Sequence, residues 1–222
     1  MGSTSSPPSG DSPAGSAGTK SRLIRAAQQT VREEGLANTS ARTIAARAGV
    51  SQGLIFYHFG TVSELVEAAS IDAVDRSIQS YRTALAQAAS LADLLAVGDE
   101  LRRRERDTGN VTFMAQTMAG AQHDQVLARA AHYAMSAWVA QTRTVLNRVL
   151  RDSPLVDVVD TDDLAHLIAA GFIGLELYDA VDPDGSASAF QALRSLDALA
   201  STLDGLGPMA RRAIHAAIRR RD

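Results

Sequence analysis

Apolar residues recur at every third or fourth position along most of the chain, and no segment of useful length alternates with period two. The pattern predicts an all-α protein. Leu23, Ala27 and Val31 form the stripe of a first helix over 21–34, which Gly35 ends. Ile44, Ala45 and Ala48 form a second stripe, with Ser40 as the N-cap of that helix. Gly49 follows where a helix C-terminus calls for positive φ. Ser51 is the expected N-cap of a third helix running to Phe59. Its Leu54 and Ile55, with Val50, turn inward and pin it across the second helix, and Phe59 is core. Thr61-Val62-Ser63-Glu64 reads as a capping box opening a fourth helix that carries Leu65, Ala68 and Ala69 towards Tyr81.

Further helices are expected over 91–106, 111–122, 125–151, 161–179 and 187–203, with a last one from Pro208. Asp162 and Asp163 lie at the positive end of the 161–179 helix. Asp182-Pro183-Asp184-Gly185 reads as a turn. It resembles a calcium loop, but Ala180 and Gln191 stand where acids are needed. Residues 1–18 are Ser, Gly, Pro and Ala with one charge and are expected to be a disordered tail. The remainder divides into a small N-terminal domain, 19–66, and a larger helical one, 67–222.

Composition narrows the function. The 222 residues contain no cysteine, so disulfides, thiolate metal sites and cysteine nucleophiles are excluded. No apolar run approaches the ~20 residues that span a bilayer, and no basic-then-apolar leader opens the chain, so the cytoplasm is the expected address and no membrane partner is expected. The five histidines show no metal spacing, and neither a Gly-x-Ser-x-Gly elbow nor a phosphate loop occurs. No enzyme, cofactor or metal is therefore expected. The net charge of −3 is uneven: residues 19–66 carry +3, residues 1–18 carry −1 and the rest −5. A basic head on an acidic body suits a protein presenting one end to a polyanion. Arg102 to Arg104 with Arg106 read as a solvated helix face.

Two short helices joined by the Gly49 turn make a helix-turn-helix, whose second helix enters the major groove of DNA. Ile44-Ala45, Ala48-Gly49-Val50-Ser51, Gly53 and Tyr57-His58-Phe59, behind an amphipathic helix, resemble the N-terminal domain of the TetR family of bacterial regulators over residues 20 to 66. The resemblance implies that Ser40, together with nearby backbone N–H groups, sits against a DNA phosphate, although Ser40 also suffices as a cap alone. Arg42 contacts phosphate or a base edge. Gln52 lies where side chains reach base edges, and Gly53 lets the helix approach the backbone closely. Phe56 is placed to press on a thymine methyl, while Tyr57 and His58 match phosphate-holding positions. Thr61, at the start of the fourth helix, completes the candidate DNA-binding set. A lysine common in the family near Val62 is missing here, which removes one phosphate contact.

The resemblance further implies a homodimer on double-stranded DNA and a small-molecule effector in the second domain. The stripe of the 161–179 helix and that of the next supply the candidate dimer interface: Leu164, Ile168, Gly171, Leu175, Phe190, Leu193 and Leu196. Phe113, Met114, Gln116, Met118, Tyr133, Trp138, Gln141, Phe172 and Glu176 are candidate pocket residues, a mixture that suits an apolar or amphipathic effector. The functional expectation is a ligand-responsive repressor binding a near-palindromic operator. The alternative is a small-molecule-binding or protein-interaction module with weak or lost DNA binding.

Overall fold

A computed structural model describes residues 13–151 and 159–204; the side chains of 13, 14, 193, 194 and 196–204 lie outside the described residues, as does the helix expected from Pro208. The described elements are helical: α1 (Pro13–Glu34), a 3₁₀ turn (Leu36–Asn38), α2 (Ala41–Ala48), α3 (Gly53–Phe59), α4 (Val62–Gln87), α5 (Leu91–Asp107), α6 (Asn110–Gly120), α7 (Gln125–Val149), α8 (Thr161–Asp179) and α9 (Pro183–Asp204).

Two helices start earlier than their apolar stripes do. Helix α1 extends eight residues ahead of Ser21. Its added turns contain hydroxyls satisfied within the helix, Thr19 donating to the Gly15 carbonyl (2.9 Å) and Ser21 to that of Ala17 (3.1 Å). Helix α9 begins at Pro183, so the Asp-Pro-Asp-Gly segment is not a free-standing turn. Asp182 Oδ1 accepts the Gly185 N–H at 2.9 Å and proline occupies the first helical position.

Leu23, Ala27 and Val31 of α1 meet Ile44 and Ala45 of α2, Ile55 of α3, and Leu65, Val66 and Ala69 of α4 in one core. Phe113 of α6 and Leu127 of α7 close that same core from the other side. Helix α4 runs unbroken past residue 66, so apolar packing is continuous between the small helices and the body. A second cluster gathers Tyr81, Leu85, Leu101 and Val145, and a third gathers Val139, Leu146, Leu150, Ala165 and Ala169.

Gly120 sets the closeness of the junction. A Cβ there would fall 2.5 Å from Leu36 Cδ2 and 2.6 Å from Leu127 Cδ1. A larger residue there would require both leucine side chains to shift.

Polar contacts along α4 and α7 add register. Ser63 donates to Asp124 Oδ2 (2.6 Å), Arg129 pairs with Glu67 (3.1 Å) and the Tyr133 hydroxyl donates to Asp75 (2.7 Å). Asp124 also caps α7, its Oδ1 accepting the N–H groups of Val126 (2.8 Å) and Leu127 (3.3 Å). The Ser63 hydroxyl, then these backbone donors, hold the Asp124 carboxyl below its usual 3.8. A carboxyl whose folded pKa is depressed contributes stability above its unfolded value and loses it as pH falls through the folded one. Asp124→Asn is therefore expected to be less stable than the parent at neutral pH. That gap should narrow as pH drops below about 3.8, as followed by urea unfolding at several pH values. A constant gap would assign Asp124 no ionised role.

At the far end of α4, Arg148 donates to the carbonyls of Leu85 (2.6 Å) and Ala88 (2.7 Å), a cation closing a helix C-terminus.

Candidate nucleic-acid interface

The geometry begins at Ser40. Its backbone is extended, its hydroxyl accepts the Thr43 N–H at 3.2 Å, and Thr43 Oγ1 in return accepts the Ser40 N–H at 2.9 Å. Threonine thus plays the part that glutamate or glutamine usually takes in this reciprocal cap. The cap and Arg42 are both exposed at the N-terminus of α2, the positive end of its dipole. Arg42 forms no ion pair among the described residues.

Gly49 ends α2 with φ 65°, its N–H bonding back to Ala45 and Ala46, and the chain turns into α3. Ser51 does not cap α3 as expected. Gln52, already in right-handed helical conformation, precedes the first residue Gly53 and makes no side-chain cap. The Ser51 contribution is its carbonyl, which accepts the Leu54 N–H at 3.2 Å. A helix that starts without a side-chain cap leaves its first residues free for contacts outside the protein.

Ile55 is fully buried, with Leu54, Phe59 and Val50 packed partly against the same core. That orientation turns Gln52, Gly53, Phe56 and Tyr57 together onto the outer face. Tyr57 is 76% exposed and Phe56 53%. Such exposure is unusual for large aromatic side chains unless a partner covers them. His58 differs from the expectation. It is half-buried beside the Tyr57 ring (centroids 4.9 Å apart), and its Nε2 is shielded from solvent without a hydrogen-bond partner. In this conformation Nε2 is not presented to a phosphate.

Thr61 caps α4 by accepting the Glu64 N–H at 3.1 Å. The capping box is only half formed, because the Glu64 carboxylate takes the Thr61 hydroxyl (2.9 Å) instead of the backbone N–H. Val62 packs against the core, which accounts for an apolar residue where the family often has lysine. Arg47 adds little to the exposed charge, being paired with Glu33 (2.6 Å) and Glu34 (2.8 Å). Arg42 is the exposed cation beside α3.

The pocket candidates do not converge on one cavity. Phe113 is buried in the core under α1 to α4, and Gln116 Oε1 accepts the Leu36 N–H at 3.4 Å, so both serve the junction. Tyr133 is exposed and bonded to Asp75. Trp138 and Phe172 share the cluster around Tyr81, whereas Met114, Met118 and Gln141 are half-buried elsewhere on α6 and α7. Glu176 is buried. Its Oε2 accepts from Arg106 (3.2 Å), while Oε1 has no hydrogen bond and lies 4.0 Å from Arg102 Nε. Burial pushes the Glu176 carboxyl up, against the pull of Arg106 and Arg102.

Arg102 and Arg106 also reach Asp179, at 3.7 and 2.8 Å, and Arg102 lies 4.4 Å over the Phe190 ring. Arg103 pairs with Glu100, and Arg104 sits 5.8 Å from the centre of the Tyr81 ring. Arg102 and Arg106 therefore clamp α5 onto α8, and only part of the arginine run is a solvated face. Sequence reasoning missed the clamp, although cations at i, i+4 on one helix and acids at i, i+3 on another were its visible sign.

The interface candidates on α8 and α9 are also redistributed. Leu164 and Ile168 pack inward on the third cluster, Leu175 is half-buried, and Phe190 is buried under Arg102. Gly171 is exposed. The side chains of Leu193 and Leu196 lie outside the described residues. The apolar stripe facing outward on α8 is one step round: Leu167 (68% exposed), Ala170, Gly171, Gly174 and Tyr178, followed by Val181 (82% exposed).

A capped short helix, a left-handed glycine turn and a second short helix with its polar and aromatic face outward make a helix-turn-helix, an arrangement that in DNA-binding proteins lays the second helix in the major groove. Residues 23–69 match the family model described as bacterial regulatory proteins, tetR family. An uncharacterized HTH-type transcriptional regulator of Mycobacterium tuberculosis is 35% identical over 69 residues, which make up 31% of this chain and 35% of that protein. An HTH-type transcriptional repressor of the same organism is 34% identical over 108 residues, covering 41% of this chain and 56% of that protein. The chain thus spans about a third to a half of the length of the curated relatives it matches. A crystal structure of a Rhodococcus protein described as a TetR-family transcriptional regulator superposes with a TM-score of 0.69 at 20% identity, over 82% of this chain and 98% of that one. At that identity the likeness establishes the all-helical fold.

Proposed function

We infer that the protein is a DNA-binding transcriptional regulator, a repressor that grips a near-palindromic operator as a homodimer and releases it when a small molecule binds the helical body. The observation that carries this is the outer face of α3, where Gln52, Gly53, Phe56 and Tyr57 stand exposed beside the N-terminus of α2. A helix of seven residues exposing two large aromatics has no internal reason to do so. Ser40, Arg42 and Thr61 flank it and are assigned to the phosphate backbone. Gln52 is assigned to a base edge. His58 contributes through its packing beside Tyr57, or through Nδ1.

Self-association is supported by the α8 stripe. Among the described residues, nothing beyond the helix's own neighbouring turns comes within 4 Å of a Cβ built at Gly171 or Gly174, so an outside helix has room to approach their backbone closely. For the effector, Met114, Met118, Trp138 and Phe172 supply soft and aromatic half-buried surface suited to an apolar or amphipathic molecule. Release then follows if the effector binds the non-gripping state more tightly.

A gel shift on the promoter region beside the encoding gene tests the reading. Tyr57→Ala should weaken every complex by about tenfold with its salt dependence unchanged, Arg42→Ala should flatten that salt dependence, and Gln52→Ala should change base preference at one position per half-site by ~1–3 kcal/mol. Unchanged complexes in both variants would remove α3 from the interface. Absence of any salt-dependent complex would favour a module that binds only small molecules or proteins, in line with the packed Val62.

A further inference from the structure

Between α1, α4 and the turn from α5 to α6 lies an open depression of about 560 Å³ whose lining includes Arg25, Arg32, Arg76, Arg106, Gln28 and Gly109. Four guanidinium groups share this wall with two carboxylates, Glu33 and Asp107, and Glu33 is already committed to Arg47. The turn closes tightly on the site because Gly109 adopts φ 69°. A Cβ there would fall 3.2 Å from Arg32 Cδ.

The arginines keep donors in reserve. Arg76 uses Nη2 for Gln28 Oε1 (2.9 Å) and Asp72 (2.5 Å), and Nε for the Asp72 carbonyl (3.3 Å). Arg106 is turned to Glu176 and Asp179. Arg32 donates through Nη2 to Asn110, which in turn donates to Glu105 at 2.5 Å. Nη1 of Arg32 and Nη1 of Arg76 have no partner among the described residues, nor has any nitrogen of Arg25. The Arg32 Nε is buried and unpartnered. Burial, and then the neighbouring Arg76 charge, depress the Arg32 pKa, with Glu105 opposing them. A cation held beside a like charge, with spare donors and an adjoining space, is stabilised by an anion entering that space.

We propose that this depression binds a small molecule carrying an oxyanion, a phosphate or a carboxylate, through Arg25, Arg32 and Arg76. Guanidinium groups present paired donors that match both oxyanions. The site differs in place and chemistry from the apolar surface assigned to an effector above. It joins α1 of the DNA-binding head to the α5–α6 turn of the body, so its occupation would tie the two together. This regulatory consequence rests on the DNA-binding reading, whereas the binding itself does not.

Titration calorimetry on the full chain, with inorganic pyrophosphate and separately with citrate at fixed ionic strength, tests the proposal without DNA. Saturable binding at one site per chain is expected. Pyrophosphate alone would name the phosphate source, citrate alone the carboxylate source, and both the shared chemistry. Arg25→Gln should weaken that binding about tenfold or more, the effect of losing a charge-assisted pair. Its urea midpoint should be unchanged, because Arg25 has no partner to lose. Arg76→Gln should also weaken binding. Two results would overturn the proposal: full binding by Arg25→Gln, or no saturable binding by either anion, whether or not Arg25→Gln also loses DNA affinity. Loss of DNA affinity without anion binding would make the surface an extension of the DNA interface.

Discussion

Phe113→Ala is expected to cost about 3–5 kcal/mol of folding stability, enough to shift a urea midpoint far outside experimental error. Phe113 is 1% exposed and closes the core formed by Leu23, Ile44, Ile55 and Leu65. Its removal opens a cavity below the DNA-binding head, and Arg32, 5.9 Å from the ring centre, loses its aromatic neighbour. The expected companion effect is weaker DNA binding, because α1 and α4 position α3 from that core. A residue lining a ligand cavity would behave otherwise: truncation would alter effector response and leave unfolding almost untouched. Urea titrations of parent and variant separate the two.

The second large effect is expected on α8. Leu167→Glu combined with Val181→Glu places two charges on an apolar stripe that is already solvent-facing, so the subunit fold should persist. If this stripe joins two copies, sedimentation should show the double variant as a monomer. Operator affinity should then fall by roughly a hundredfold or more, since one head no longer raises the local concentration of the other. A double variant that stays dimeric would move the interface elsewhere. An inward pair, Leu164 and Ile168, would give a different signature of lost stability with no specific change in association.

The head was largely readable from sequence because its rules are local. A cap at Ser40, positive φ at Gly49 and an apolar phase through Ile44 and Ile55 depend on neighbours within a few residues, and each lies where its chemistry requires. Ser51 failed as a cap because Gln52 had already entered helical geometry, a difference of one residue that periodicity does not resolve. The helical body was readable as a series of elements but not as an arrangement. Leu164 and Ile168 share a helix with Leu167 and Gly171, and sequence does not say which side of that helix meets α7. The hydrophobic stripe of α8 spans more than one face, so both choices satisfied the pattern. Glu176 was conspicuous as a charge in apolar surroundings. Its partners, Arg102 and Arg106, lie some seventy positions away, in a run whose local pattern is that of a solvated face. Residue type alone does not mark a pocket, as Phe113 and Gln116 show: large or polar side chains serve a seam between substructures as readily as a ligand.

The missing side chain at Gly120 bears on how such proteins are recombined. Leu36 follows α1, the helix ahead of the helix-turn-helix, and Leu127 belongs to α7 beneath it, and both side chains occupy the space that a Cβ at Gly120 would enter. A chimera carrying this head on a foreign body would inherit Leu36 but not the hollow made for it. Exchange of specificity between regulators of this build should therefore succeed when the swapped segment travels with a small residue at the end of the sixth helix, and otherwise yield a head that folds askew.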